Sequence, residues 1–423
     1  MNSSDAPKDD GSQTPELDEV SALYAKSMAV MARLRVDAIN RETGQKEGPR
    51  FTITRAAMLA GCTSDDIRKA EKSGALPARA RLGNGHRVSY TLAEIDTIRA
   101  LFGTRPWRDP TVPPAVLAVQ NFKGGVGKST IAVHLAQYLA IRGYRVCLID
   151  CDSQASATMM FGYVPDIDLE ENDTLYGYMH DESGEGLGPR VRSTYFHGLD
   201  LVPANLKLYN LEYEIAASMA QSGNFDLIDQ IKQAISTVSD GYDVIILDPP
   251  PALGMVSLGV LSAANALIVP MPPSIVDFSS TASFLDMLNT TMRSLEAMTS
   301  IRPVYNFVRL LTSRADESKS MHREIMDMSR QLFGASMLKA VLRDSAEIDN
   351  AISRLRTVYE LERPITSYAV HRRCVRQLDA VNAEIEGEIR AAWERVAAAD
   401  LLARKTEAKS VETKRNTLIE VAA

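Results

Sequence analysis

Residues 115–130 read AVLAVQNFKGGVGKST, and this stretch constrains the chain more than any other. An apolar, alternating run (Val116, Leu117, Val119) leads into a glycine-rich loop, and Ser129 to Ala140 then begins an amphipathic helix. Glycines let backbone N–H groups close around phosphate oxygens. Lys128 adds a point charge, and the helix N-terminus aims its positive end at the same anion. The Ser129 hydroxyl is placed for Mg²⁺. The spacing therefore predicts a nucleotide-phosphate cradle from Lys123, Gly124, Gly125, Val126, Gly127, Lys128, Ser129 and Thr130.

Two later segments supply what such a cradle needs. Tyr144 to Gln154 reads as a buried strand ending in Asp150 and Asp152, at the carboxyl end where open α/β sheets bind ligands. Gly241 to Pro251 reads as a second buried strand ending in Asp248, followed by three prolines. Further strands are expected at Leu199–Pro203, Ala266–Pro270, Arg302–Leu310 and Met337–Leu342. Helices are expected between them, at Leu206–Met219, Phe225–Val238, Ser279–Met298, Asp316–Phe333 and Thr366–Ala397. That alternation implies a doubly wound α/β domain with a mostly parallel sheet over residues 115–400, followed by a C-terminal tail at 401–423.

The net charge of the 423 residues is -7, which read alone argues against nucleic acid as a partner. Its distribution says otherwise. Residues 1–20 hold six acids and one base, and 1–15 read as a disordered acidic tail. Residues 16–43 carry apolar side chains at helical spacing, an arm that packs on its own domain or pairs with another subunit. From Arg50 to Ala100 nine bases face five acids, so this window is +4 and the remainder -11. A stretch with four prolines, residues 103–114, then reads as a stiff linker.

Residues 50–102 read as a small α-helical module. Thr54 is expected to cap one helix, Ser64 a second bearing Arg68, Lys69 and Lys72, and Thr91 a third. Between the last two, a basic hairpin carries Arg79, Arg81 and Arg87 around Gly83-Asn84-Gly85. The order helix, turn, helix, basic hairpin resembles the winged helix-turn-helix of MerR-type regulators. In that arrangement the second helix enters the major groove while wing arginines hold phosphate.

The phosphate loop departs from G-x-x-x-x-G-K-[ST], because Phe122 stands where the first glycine belongs and Lys123 opens the loop instead. It resembles the deviant Walker A loop of the ParA/MinD superfamily, and the whole chain resembles the large, type Ia ParA ATPases with an N-terminal helix-turn-helix. The resemblance implies catalytic roles for Lys123, Lys128 and Asp152. Lys123 would reach a partner's nucleotide across a homodimer, and Asp152 would help activate water, although Ser153 replaces the family's proline. It implies Mg²⁺ near Ser129, Asp150 and Asp248, with ATP or ADP as the nucleotide. It also implies a ParB-type centromere-binding partner that stimulates weak hydrolysis. The ATP dimer would bind DNA without sequence preference, and the ADP or apo form would bind an operator and repress its own genes.

Late bases offer candidates for the non-specific contact, among them Arg343, Arg354 and Arg356, although residues 343–376 pair seven arginines with five acids. Four scattered cysteines favour a reducing cytoplasm, with nucleoid association implied by the DNA partner. No apolar run reaches the length of a membrane span, the start is unlike a signal peptide, and no amphipathic membrane-binding tail is expected. The function the resemblance implies is plasmid or chromosome partition; the alternative is an ATP-switched transcriptional repressor with no role in segregation.

Overall fold

In the computed structural model, residues 17–38, 46–80, 83, 87–222, 226–252, 254–299 and 304–422 are described. The acidic tail and Arg81 lie outside them. Within the N-terminal arm the described residues form one helix, α1 (Leu17–Ala38). The basic module follows as α2 (Ile53–Ala60), α3 (Ser64–Ser73) and α4 (Leu92–Phe102). Its caps differ from the expected ones. Thr52, not Thr54, caps α2, and Thr63, not Ser64, caps α3. The reason for the second is a capping box, in which Thr63 and Asp66 satisfy each other's backbone N–H. Thr91 and Glu94 form the same box at the start of α4. At the base of the expected wing, Phe51 bridges Tyr90 and the Val88 N–H donates to Ala80 O at 3.1 Å.

The body starts with β1 (Ala115–Val119), α5 (Lys128–Arg142), β2 (Val146–Asp150) and α6 (Ser156–Met160). Two short helices, α7 (Pro165–Asp168) and α8 (Leu175–Met179), lead to β3 (Arg192–Ser193) and β4 (Leu199–Val202). Then come α9 (Leu208–Ser222), α10 (Asp226–Ser236), β5 (Val244–Asp248), α11 (Met255–Ala263), β6 (Ala266–Met271) and α12 (Ile275–Thr299). The chain ends with β7 (Phe307–Thr312), α13 (Ser320–Phe333), α14 (Ala346–Ile352) and α15 (Tyr368–Ala422). The seven strands form one sheet in the order β3-β4-β2-β5-β1-β6-β7, parallel except for β3. This is the doubly wound fold the sequence implies.

Side chains on the sheet alternate between two cores, as the strand period requires. Ala115, Leu117 and Val119 pack with α5 and α15, whereas Val116 and Ala118 pack with α9, α11 and α12. Two expectations are corrected here. Met337–Leu342 is not a strand: its apolar residues Met337, Leu338, Val341 and Leu342 do not alternate, and it touches β7 through single hydrogen bonds such as Leu338 N to Leu310 O, 2.9 Å. The 401–423 tail continues α15 to Ala422, because nothing after Gly387 breaks an Ala-, Glu-, Lys- and Arg-rich helix.

The linker is also corrected, since residues 103–114 are a docked strap. Trp107 Nε1 donates to Gly143 O at 3.1 Å, its ring lies between the guanidiniums of Arg105 and Arg145, and Arg108 is buried with its backbone N–H on Asp243. The basic module is packed on the body as well, and its core is continuous with that of α5. Arg99 of α4, 1% exposed, donates to Ile141 O at the end of α5 at 2.6 Å. Gly143 ends that helix at φ +105°, and a Cβ there would sit 2.7 Å from the Arg99 guanidinium.

Candidate nucleotide-binding site

The phosphate loop hangs from two buried amides at the end of β1. Gln120 Nε2 donates to Ser257 Oγ at 3.1 Å. Asn121 Nδ2 donates to Pro270 O at 2.7 Å and to Thr281 Oγ1 at 3.1 Å, tying the loop to the next strand and to α12. Gly125 and Gly127 have φ of +75° and +96°, a region that costs other residues strain. At Gly124 and Gly125 an added Cβ would meet no atom within 4 Å, so the space above the loop is open. Gly127 caps α5 without a side chain, which leaves the first-turn N–H groups of Lys128, Ser129 and Thr130 available to an anion.

Beneath the loop lie the acids. Asp150 and Asp248 are register partners at the ends of neighbouring parallel strands. Asp150 accepts from Thr158 N at 2.9 Å, Thr158 Oγ1 at 2.7 Å and Asp152 N at 3.1 Å, and burial pushes its carboxyl up to about 7. Asp248 is fully buried, and neither carboxylate oxygen has a hydrogen-bond partner of good geometry, the Ser129 hydroxyl being the nearby donor. Burial and the neighbouring Asp150 push it well above the usual carboxylate range, against the pull of Ser129 and Lys128. Burial pulls the Lys128 ammonium below its ordinary value, opposed by Asp248 and Asp152. Asp152, 8% exposed, accepts the Gln154 N–H at 2.9 Å.

A buried carboxylate with both oxygens unpaired is costly unless something cationic completes it. Mg²⁺ fits that role. Among the described residues no three carboxylate, imidazole or thiol side chains converge as a closed cage. An ion held by one or two protein oxygens and by phosphates does not need one. Asp248 and Ser129, with Asp150 alongside, are the residues that would hold it.

The expected loop and acidic residues thus come together, with partners that local sequence could not supply. Lys123 is ion-paired at 2.6 Å with Asp277 in the first turn of α12, where the proline-rich turn 270–273 ends. Arg314, from the segment after β7, donates to Gly125 O of the phosphate loop at 3.1 Å. Ile275 and Val276, beside Asp277, are exposed.

Several relatives resemble the chain. It is 36% identical to SopA of Escherichia coli K12 over 74% of this chain and 80% of SopA. The chain belongs to the ParA family of partition ATPases. A family model described as an AAA domain matches residues 114–301. ParA of Caulobacter vibrioides is 28% identical over 57% of this chain and 85% of its own length. Among solved structures, a partition protein aligns over 88% of this chain and 99% of its own, with a TM-score of 0.62 at 21% identity. A McdA–ATP complex from Cyanothece aligns over 65% and 97%, with a TM-score of 0.52 at 18% identity. At such identities these two structures establish the fold.

The basic residues are distributed less simply than their sequence suggests. Arg68, Lys69 and Lys72 are exposed on α3, with Arg68 paired to Asp65 at 2.6 Å. Arg79 and Arg87 are instead built into the module. Arg79 forms an ion pair with Glu94, donates to Val88 O at 3.0 Å and stacks on Tyr90; Arg87 pairs with Glu71. Arg354 is exposed, Arg343 pairs with Glu317 at 2.6 Å, and Arg356 is half-buried near Lys46.

Proposed function

We propose that this ParA-family ATPase couples ATP binding and hydrolysis to reversible DNA attachment. The orphaned Asp248 beneath an open, uncapped glycine loop carries this reading. Lys128 and the first-turn N–H groups of α5 hold the nucleotide phosphates, and Asp248, Ser129 and Asp150 hold Mg²⁺. When bound, the ion offsets charge on the phosphates. Asp152 orients the attacking water. Lys123 serves the nucleotide of a second subunit across a homodimer, leaving Asp277 to do so.

A protomer without partner groups offers limited stabilisation to the transferring phosphate, which supports weak hydrolysis and stimulation by a ParB-type protein. Exposed α3, with Lys69 and Lys72, is the operator-reading element in the ADP or apo state, and Arg343 and Arg354 contribute to non-specific contact in the ATP state. The arm α1 supports dimerisation, because Val20, Leu23 and Tyr24 are exposed along it. DNA attachment of this kind supports a cytoplasmic, nucleoid-associated protein.

Asp152→Ala tests the cycle. The variant is expected to keep ATP-dependent binding to random-sequence DNA while losing hydrolysis and stable inheritance of the replicon that encodes it. Normal inheritance in a hydrolysis-dead variant would contradict partition and leave the repressor reading.

A further inference from the structure

Lys46 is a buried charge that the nucleotide chemistry does not use. It lies in the segment that enters the basic module, yet its side chain is 1% exposed inside the ATPase body. Its ammonium donates to Met160 O at 2.6 Å and to Tyr195 Oη at 3.2 Å, and lies 3.0 Å from each Glu360 oxygen. The walls are shaped to it. Gly162, at φ +95°, would place a Cβ 3.1 Å from the Lys46 stem, and Gly48 would place one 2.4 Å from Tyr195 O.

Both sides of this socket lead to the nucleotide site. Met160 is the last residue of α6, and Thr158 of the same short helix donates twice to Asp150. Glu360 closes a single helical turn whose Thr357 donates to Gln137 at 2.7 Å and whose Val358 N–H donates to His134 Nε2 at 3.2 Å, both on the phosphate-loop helix α5. The third side leads outward through Gly48 to Phe51, which bridges Tyr90 of the module. Beside it a cavity of about 280 Å³ lies between this segment, α4 and Tyr195.

We propose that the Lys46–Glu360 pair is a relay between nucleotide and metal occupancy at the phosphate loop and the conformation of the basic helical module. A shift of Asp150 acts on Thr158 and α6, a shift of α5 acts on the Glu360 turn, and both act on one ammonium. A buried pair in a fixed geometry passes such shifts on, whereas an apolar contact would slide. The relay rests on the nucleotide-site reading and deepens it, but does not depend on which DNA the module binds.

Hydrogen–deuterium exchange on the full chain tests it, with ADP and Mg²⁺ added and a fluorescent ADP analogue reporting affinity. In the wild type, nucleotide is expected to change exchange in residues 51–74 by about fivefold or more. Lys46→Met/Glu360→Gln keeps the Thr357 cap acceptor. It is expected to bind ADP within about twofold of wild type and to keep protection of the phosphate loop, yet lose the response in 51–74. Lys46→Arg should retain it. A response in the double variant equal to wild type, or none in the wild type despite ADP binding, would overturn the relay. Absence of ADP binding by the wild type would instead refute the nucleotide site, and the relay with it. Melting temperatures show that each variant is folded.

Discussion

At the residue scale the site is divided between two lysines with different surroundings. Lys128 is buried under its own loop among Asp248 and Asp152. Lys123 is part-exposed and held by a carboxylate on another element. Lys128→Ala is therefore expected to remove detectable ATP binding, measured by calorimetry, because it deletes the ammonium buried under the loop. Lys123→Ala should bind ATP within about threefold of wild type, a surface ion pair being worth little, yet lose most turnover. Normal turnover in Lys123→Ala would contradict its role across a dimer. Both lysines are legible in sequence because loop, strand and helix are contiguous. Their contacts with Asp277 and Arg314 are not: the resemblance puts the segment at Asp277 on the nucleotide or dimer face without assigning its residues, and both partners lie more than a hundred positions from the loop.

At the element scale, α5 is the hub, carrying the phosphate loop at one end and Arg99 of the basic module at the other. His134 in its middle is fully buried, with Nδ1 on Thr130 O at 2.7 Å and Nε2 accepting from Val358 N. Burial pulls its pKa down to about 4, against the opposing hydrogen bond to Thr130. The unfolded chain therefore binds a proton that the folded chain refuses between about pH 6.5 and 4, and stability falls as pH drops through that window. Urea unfolding at pH 7.5 and 5 should show about 2 kcal/mol of acid-induced loss from this group, absent in His134→Asn. An equal loss in the variant would show that His134 is not the group responsible.

The same scale shows why some elements were misread. Arg79 and Arg87 look like phosphate-binding wing residues until Glu94 and Glu71 are found against them, and that pairing depends on where α4 and α3 bring those two acids. The proline-rich strap looks like a tether because composition reports stiffness and not docking. What sequence did disclose are features set by period and local chemistry: alternating strands, capping threonines to within a residue or two, and acids at strand ends.

For the whole molecule, the -7 net charge is an average over an acidic body and a +4 module packed against the phosphate-loop helix. If the module holds DNA as proposed, shared packing would make nucleotide state and DNA attachment parts of one conformational equilibrium. Fluorescence anisotropy of a labelled random-sequence duplex, titrated with full-length protein in ATP–Mg²⁺, ADP–Mg²⁺ or no nucleotide, tests this most directly. Tight binding is predicted with ATP alone, falling steeply with salt and absent in Lys128→Ala. Equal binding in all three states would contradict the account.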